Sequence, residues 1–272
     1  MITATRPVGD LLRDWRQRRR LSQLDLAMEA DVSARHLSFL ETGRARPSRE
    51  MLLRLAEPLE IPLRERNELL LAAGFAPVYP ERGLDTPALR QAREAVERIL
   101  KGHEPYPALA VDRHWTMVAA NDAVAPLLVG VGKDLLRPPI NVLRLSLHPK
   151  GLAPRIANYA QWRDHVLERL RRQVEVSADP VLAALLEELG SYPAPDGDTD
   201  DDASPHGRDL ASVVVPLQLR TDHGLLSFFT TTTVFGTPVD LTLAELAIES
   251  FFPADTATAE ILRGLSTGKA AG

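Results

Sequence analysis

Three stretches of the chain have residue types and spacings that could support chemistry. Gly264-Leu-Ser-Thr-Gly268 has the G-x-S-x-G spacing of a nucleophile elbow, which exposes a serine on a strained strand-to-helix turn. That chemistry also needs an acid and a histidine later in the chain, and only four residues follow, so the match is set aside. Asp196-Gly-Asp-Thr-Asp-Asp201 opens like a calcium loop. Its sixth position holds Asp201 instead of glycine and its twelfth holds Gly207 instead of a bidentate glutamate, so it reads as a solvated acidic loop. The third is the arginine-rich first 80 residues, since a planar guanidinium fork suits phosphate. There is no cysteine, which removes disulfides, thiolate metal sites and cysteine nucleophiles. No histidine pair has H-x-x-x-H spacing, and no Walker A or G-x-G-x-x-G stretch lies between a strand and a helix. The sequence therefore predicts no catalytic residue, no metal, no cofactor and no enzyme.

Charge is unevenly spread. The 272 residues carry a net −5, but residues 1–80 hold 13 Arg and no Lys against 11 acidic residues, a net of +2. Residues 81–272 sum to −7. Such asymmetry suits a basic, anion-binding first part. Lysine occurs only at 101, 133, 150 and 269, a bias that genomic base composition also produces. The length favours two domains. The longest apolar stretch, Leu69–Val78, is broken by Gly74 and Pro77 and is about half a membrane span. The opening residues lack an apolar leader region, so the expected location is the cytoplasm.

The elements that must position these residues start with five short helices. Val8–Arg20 carries Val8, Leu11, Leu12 and Trp15 at helical spacing. Ser22-x-x-Asp25 reads as a capping box, followed by Leu24, Leu26, Ala27 and Ala30. Ser33 is an N-cap for the next helix, with Leu37 and Leu40 inward, and Thr42-Gly43 stops it. Pro47-Ser48 opens a fourth helix with Leu52, Leu55 and Leu59 inward. Pro62, at N1, opens a fifth that ends at Gly74. Residues 76–87 are rich in proline and read as a linker between a first domain, 1–75, and a second, 88–272. In the second domain Leu89–Leu100 reads as helix. Ala108–Asp112 and Thr116–Ala120 read as a hairpin around Asp112-Arg113-His114. Asn121–Leu128, Ile156–Val176 and Pro180–Leu189 read as helices, and Pro195–Gly207 as a polar loop. Leu210–Arg220 and Leu225–Phe235 read as strands, and Leu241–Phe252 fits either strand or helix. This order implies an α+β chain: an all-α bundle, then an antiparallel sheet with helices inserted in its middle.

Leu21–Gly43 has the parts needed for two short helices to cross through a tight turn: the small Ala27 at the crossing, Asp31 where left-handed backbone is needed, and Leu24, Leu26, Val32, Leu37 and Leu40 for a shared core. With residues 8–75 around it, this segment resembles the phage-repressor-like, XRE-type helix-turn-helix. The resemblance implies that Ser33–Thr42 is a recognition helix lying in the major groove of double-stranded DNA. It implies outward positions at Ala34, Arg35 and Ser38, with His36 and Phe39 beside them and Ser33 at the DNA-binding start of the helix. Gln23 matches the family position that holds a phosphate or an outer base, and Arg44, Arg46 and Arg49 would grip the backbone. An arginine fork on guanine is worth about 1–3 kcal/mol of discrimination. The family often has amide side chains where Ala34 and Phe39 stand. Without the resemblance, the same helices could form a protein-binding bundle, with Arg16, Arg18, Arg19 and Arg20 as a solvated face.

The second half has the strand-strand-helices-strand-strand-strand order of a PAS-like sensor. Tyr106–Asn121, Asn141–Pro149, Asn158–Trp162 and Phe251–Asp255 make it resemble the MmyB-like transcription regulators. The resemblance implies a small, apolar or fatty-acid-like effector. Candidate cavity residues are Leu143, Leu147, Trp162 and Phe228, with Leu127, Leu128, Leu145, Ile156, Val118, Leu226 and Phe235 around them. His148, Asn158 and Arg163 are candidate anchors for a head group. The same apolar residues would equally serve as plain core. The resulting expectation is a homodimeric, ligand-responsive, DNA-binding regulator with no membrane partner. Two alternatives stay open: a constitutive regulator whose second domain only dimerises or binds protein, and an adaptor that does not bind DNA.

Overall fold

The structure, a computed structural model, describes residues 6–195 and 214–269, with side chains to 266. It divides into two compact units. One is residues 1–82 with 175–177 and 238–244; the other is 83–174, 178–237 and 245–272. The polar loop expected at Pro195–Gly207 lies, beyond Pro195, outside the described residues, as do residues 210–213 of the expected strand.

The first unit is helical: α1 (Val8–Arg18), α2 (Gln23–Glu29), α3 (Ala34–Glu41), α4 (Arg49–Ala56) and α5 (Leu63–Ala72). Serine caps set three of the starts. The Ser22 hydroxyl accepts from Asp25 N while the Asp25 carboxylate accepts from Ser22 N, which is the reciprocal box. The Ser33 hydroxyl accepts from His36 N, and that of Ser48 from Met51 N. Pro62 stands one position earlier than expected, as the N-cap of α5 and not its N1 residue. α1 stops at Arg18, short of Arg20, because Arg20 turns left-handed at φ 57. Asp31 also adopts left-handed backbone, at φ 52, and Val32 N closes the turn onto the Ala27 carbonyl at 2.9 Å.

Leu12, Leu26, Leu37, Leu40, Leu52, Leu55, Leu59, Leu69 and Leu70 fill the core. Leu24 does not join them and is 60% exposed. The box fixes the phase of α2 so that Leu26 and Ala27 point inward, and a residue two positions earlier on a helix points elsewhere. α1 also crosses the end of α3 closely. A Cβ on Gly9 would lie 2.5 Å from the Leu40 carbonyl oxygen, so only glycine fits there.

The second unit is built on a five-stranded sheet of order β2-β1-β5-β4-β3, all antiparallel. Its strands are β1 (Ala108–Val111), β2 (Met117–Ala120), β3 (Leu217–Thr221), β4 (Gly224–Val234) and β5 (Ala247–Pro253). α6 (Arg90–Gly102) packs Val96 and Leu100 against Ala108, Ala110 and Ile248 on one face. The opposite face carries Leu109, Val111, Leu217, Leu219, Leu226 and Phe228, covered by α7 (Val142–Leu147), α8 (Tyr159–Ser177) and α9 (Pro180–Gly190). Both faces of β1 are buried, so it reads as an unbroken apolar run without alternation.

Three expected boundaries shift. Asn121–Leu128 forms only a tight turn of helix at Ala125–Leu128, where Pro126 lacks an N–H. α8 starts at Tyr159 because Ile156 bridges to Leu219 instead. Leu241–Phe252 splits into a one-turn helix, Leu241–Ala244, and β5. Gly264–Gly268 lies inside the last helix, Thr256–Lys269, so it has no strand-to-helix turn to expose a serine.

Candidate functional site

In the first unit, α3 presents its early residues to solvent. Arg35 is exposed, and its guanidinium lies 5.4 Å over the Phe39 ring. His36, Ser38 and Phe39 are half-buried, and Ala34 packs partly on the core. Ser33 is exposed, but its hydroxyl is occupied as the cap. Arg44, Arg46 and Arg49 are exposed in the turn after α3 and at the start of α4. Six of the ten sequence-chosen residues thus cluster on α3 and its immediate lead-in, three arginines follow it, and Gln23 stands at the start of α2.

Gln23 is placed differently from the expectation. Its amide donates to the Glu41 carboxylate at 2.9 Å. Glu41 is 2% exposed and receives a bidentate fork from Arg16, at 2.6 and 2.8 Å. Arg16 also donates to the Leu21 carbonyl, and Arg13 to that of Glu41. Burial pushes the Glu41 carboxyl up, but the bonds from Arg16 and Gln23 and the charges of Arg16 and Arg13 outweigh it and hold it below the ordinary range. Arg19 donates to the Leu59 and Glu60 carbonyls. Arg16 and Arg19 are therefore brackets between helices and not a solvated face. Sequence spacing missed this because, Leu21 apart, the partners are 18 to 41 residues away.

The second unit encloses a cavity of about 110 Å³ between the sheet and the inserted helices. Leu109, Met117, Leu127, Leu128, Leu143 and Phe251 are among its apolar lining residues. Of the sequence-chosen ligand residues, Leu143 and Trp162 line it. Leu147 and Phe228 are fully buried in the packed core and lie off the lining. Val118 is 42% exposed, on the other face of β2.

None of the three expected anchors lines the cavity. Asn158 pins the start of α8 to the sheet, donating to the Pro216 carbonyl and accepting from Gln218 N. Arg163 donates to the Gly190 carbonyl. The His148 ring accepts from Lys150 N and packs on Tyr192. These polar groups are consumed in holding chain segments together.

The polar lining comes from residues the sequence did not single out. Arg169 on α8 forks onto Glu249 on β5 at 2.7 and 3.1 Å. The Thr232 hydroxyl accepts from Arg169 and donates to Glu249. The Arg169 guanidinium lies 4.5 Å over the Trp115 ring, a cation–π contact. Trp115 is held at φ 64, unusual for a bulky residue, and its indole N–H donates to Gln173. The Trp162 N–H donates to Ser146. His165, beside Trp162, has its pKa pushed down by burial and then by the charges of Arg169 and Arg172, with Glu249 opposing. Among the described residues no group of three or more histidine or acidic side chains is arranged to hold a metal.

Comparison with known proteins gives two family matches. Residues 7–69 match a family model described as a helix-turn-helix domain. Residues 92–265 match that of the MmyB-like transcription regulator ligand binding domain. An HTH-type transcriptional regulatory protein of Methanoculleus marisnigri is 37% identical over 116 residues, covering 41% of this chain and 37% of the relative. The chain thus aligns with little more than a third of that protein's length. Among solved structures, the clp gene regulator ClgR of Corynebacterium glutamicum is 28% identical, covering 36% of this chain and 90% of ClgR, with a TM-score of 0.22. An RNA-binding light-oxygen-voltage receptor is 11% identical, covering 97% of this chain and 64% of the receptor, with a TM-score of 0.25. The ligand-binding-domain family model, over residues 92–265, spans well over half of the chain, and with a helix-turn-helix domain ahead of it the chain belongs to the MmyB-like transcription regulators.

Proposed function

We propose that the protein binds double-stranded DNA in a sequence-dependent way through α3, as a homodimer in the cytoplasm, and that a small apolar ligand in the second-unit cavity controls that binding. The observation that carries the reading is the exposed face of α3, with Arg35 at its start and Arg44, Arg46 and Arg49 just beyond its end. A helix N-terminus set in the major groove brings the first residues to base edges, and flanking arginines reach phosphates. Two such helices in a symmetric dimer read half-sites about 34 Å apart. The apolar cavity supports the regulatory half of the reading, because ligand sites are enclosed, mostly apolar and carry a few convergent polar groups. The ligand acts by binding the DNA-competent and DNA-incompetent states unequally. The protein's work is recognition and not catalysis.

Mobility-shift titrations on selected and random duplexes over a range of salt test the DNA half. Arg35→Ala is expected to relax sequence preference, with a loss of about 1–3 kcal/mol on the preferred site. Arg46→Ala is expected to weaken all duplexes alike and to lower the salt slope by about 1. Wild-type affinity in both variants refutes the docking. Native mass spectrometry of freshly purified protein, before and after denaturing extraction, tests the ligand half. A stoichiometric extra mass supports it, and a clean apo dimer favours a second unit that only dimerises.

A further inference from the structure

The polar part of the cavity lining is already electrically closed. Among the described lining residues, Arg169 is the permanent cation and Glu249 the carboxylate, and each is engaged with the other. We infer that the cavity takes a ligand whose polar end is uncharged, such as a hydroxyl, ketone or amide, and discriminates against a free carboxylate. This rests on the reading of the cavity as a ligand site and narrows the ligand's chemistry.

Three features carry the argument. Arg169 has little left to offer an anion. Its Nη1 and Nη2 are committed to Glu249, Nη2 also serves Thr232, and Trp115 covers one face of the fork. The second feature is how Glu249 is held. It sits within β5 directly opposite Thr232, and its side chain is 6% exposed. A ligand carboxylate must either displace it or lie beside it. Displacement sets a free ligand against a tethered carboxylate whose effective concentration is far higher. It also leaves buried Glu249 without its counter-ion, with only the Thr232 hydroxyl as donor, and coexistence places two like charges in a low-dielectric site. The third feature is the remaining polar lining. Burial and the nearby arginines favour neutral His165, which has one donor and one acceptor. Ser146 accepts from Trp162, which leaves its own hydroxyl proton to donate. Neutral donors and acceptors suit a neutral head group.

The test uses the full-length protein at pH 8 with three probes of one chain length, hexan-1-ol, hexanamide and hexanoate, titrated by calorimetry. The short chain suits a cavity of about 110 Å³. Hexanamide or hexanol is expected to bind at least about tenfold more tightly than hexanoate, a difference of about 1.4 kcal/mol. Glu249→Gln keeps the side chain's shape and frees the Arg169 fork. In that variant hexanoate is expected to gain about tenfold while hexanamide changes little. Hexanoate binding as tightly as hexanamide to the unaltered protein overturns the inference but leaves the cavity a ligand site. Binding of none of the three overturns the ligand-site reading and this inference together. If Glu249→Gln fails to fold, the comparison on the unaltered protein still decides.

Discussion

Replacing Glu41 by alanine isolates what holds the helices of the helix-turn-helix in register. Glu41 ends α3, and its carboxylate gathers Arg16 from α1 and Gln23 from α2. The substitution removes two charge-assisted bonds from Arg16 and one from Gln23. It leaves the Arg16 guanidinium, whose side chain is only 12% exposed, facing an apolar surface. Breaking one partner of a buried pair costs about 3–5 kcal/mol. Arg16 keeps its 2.9 Å bond to the Leu21 carbonyl, so the lower end, about 3 kcal/mol, is the expected loss. At about 4–8 °C per kcal/mol for a domain of this size, that lowers the first unit's midpoint by about 12–24 °C. Scanning calorimetry on the full chain reads this as a downward shift of one transition while the other stays in place. The double variant Arg16→Met, Glu41→Met removes both charges and is expected to recover most of the loss, because apolar replacement of a buried pair is often neutral. A loss below about 1 kcal/mol in the single variant, or no recovery in the double, refutes the bracket.

The same carboxylate sets an acid limit. Its folded pKa lies below its unfolded value, so the unfolded chain binds more protons between the two. Its stabilisation is complete above the ordinary carboxylate range, about pH 4.3, and is lost as pH falls through the depressed value. Chemical denaturation across acidic pH is expected to show this slope in the wild type and a flatter one in Glu41→Gln. Gly9→Ala forces its methyl group against the Leu40 carbonyl oxygen. It is expected to cost about 1–3 kcal/mol, and an unchanged urea midpoint refutes the close approach. Val166→Phe projects a larger ring into the cavity that Val166 lines. It is expected to abolish binding of hexanamide with the fold intact, and undiminished calorimetric heat refutes the site.

Local signals were the legible ones. Ser22, Ser33 and Ser48 announce their helices because a cap needs only its own residue and the third one on. Asp31 announces the turn because few residues tolerate φ above zero. The polar lining was not legible. Arg169 sits on a long helix with other arginines, and its partner lies 80 residues away. His148, Asn158 and Arg163 looked like anchors because they stand among the right apolar residues, but hydrogen bonds to backbone claim each of them. One signal pointed the other way. Glu249 interrupts the apolar run Leu246-Ala-Ile-Glu-Ser-Phe-Phe252, and a charge in a buried strand requires a partner.

β1 is a partition wall. Leu109 faces the cavity, and Ala108 and Ala110, on the reverse, meet α6. Alanine has no rotamers, so the wall has no soft layer on its α6 side to absorb a push. A ligand that displaces Leu109 outward is expected to move β1 and α6 together, since close-packed interiors transmit strain. Hydrogen exchange along residues 90–102 would then respond to an occupant that those residues never touch, and unchanged protection on saturation would show that the wall yields elsewhere.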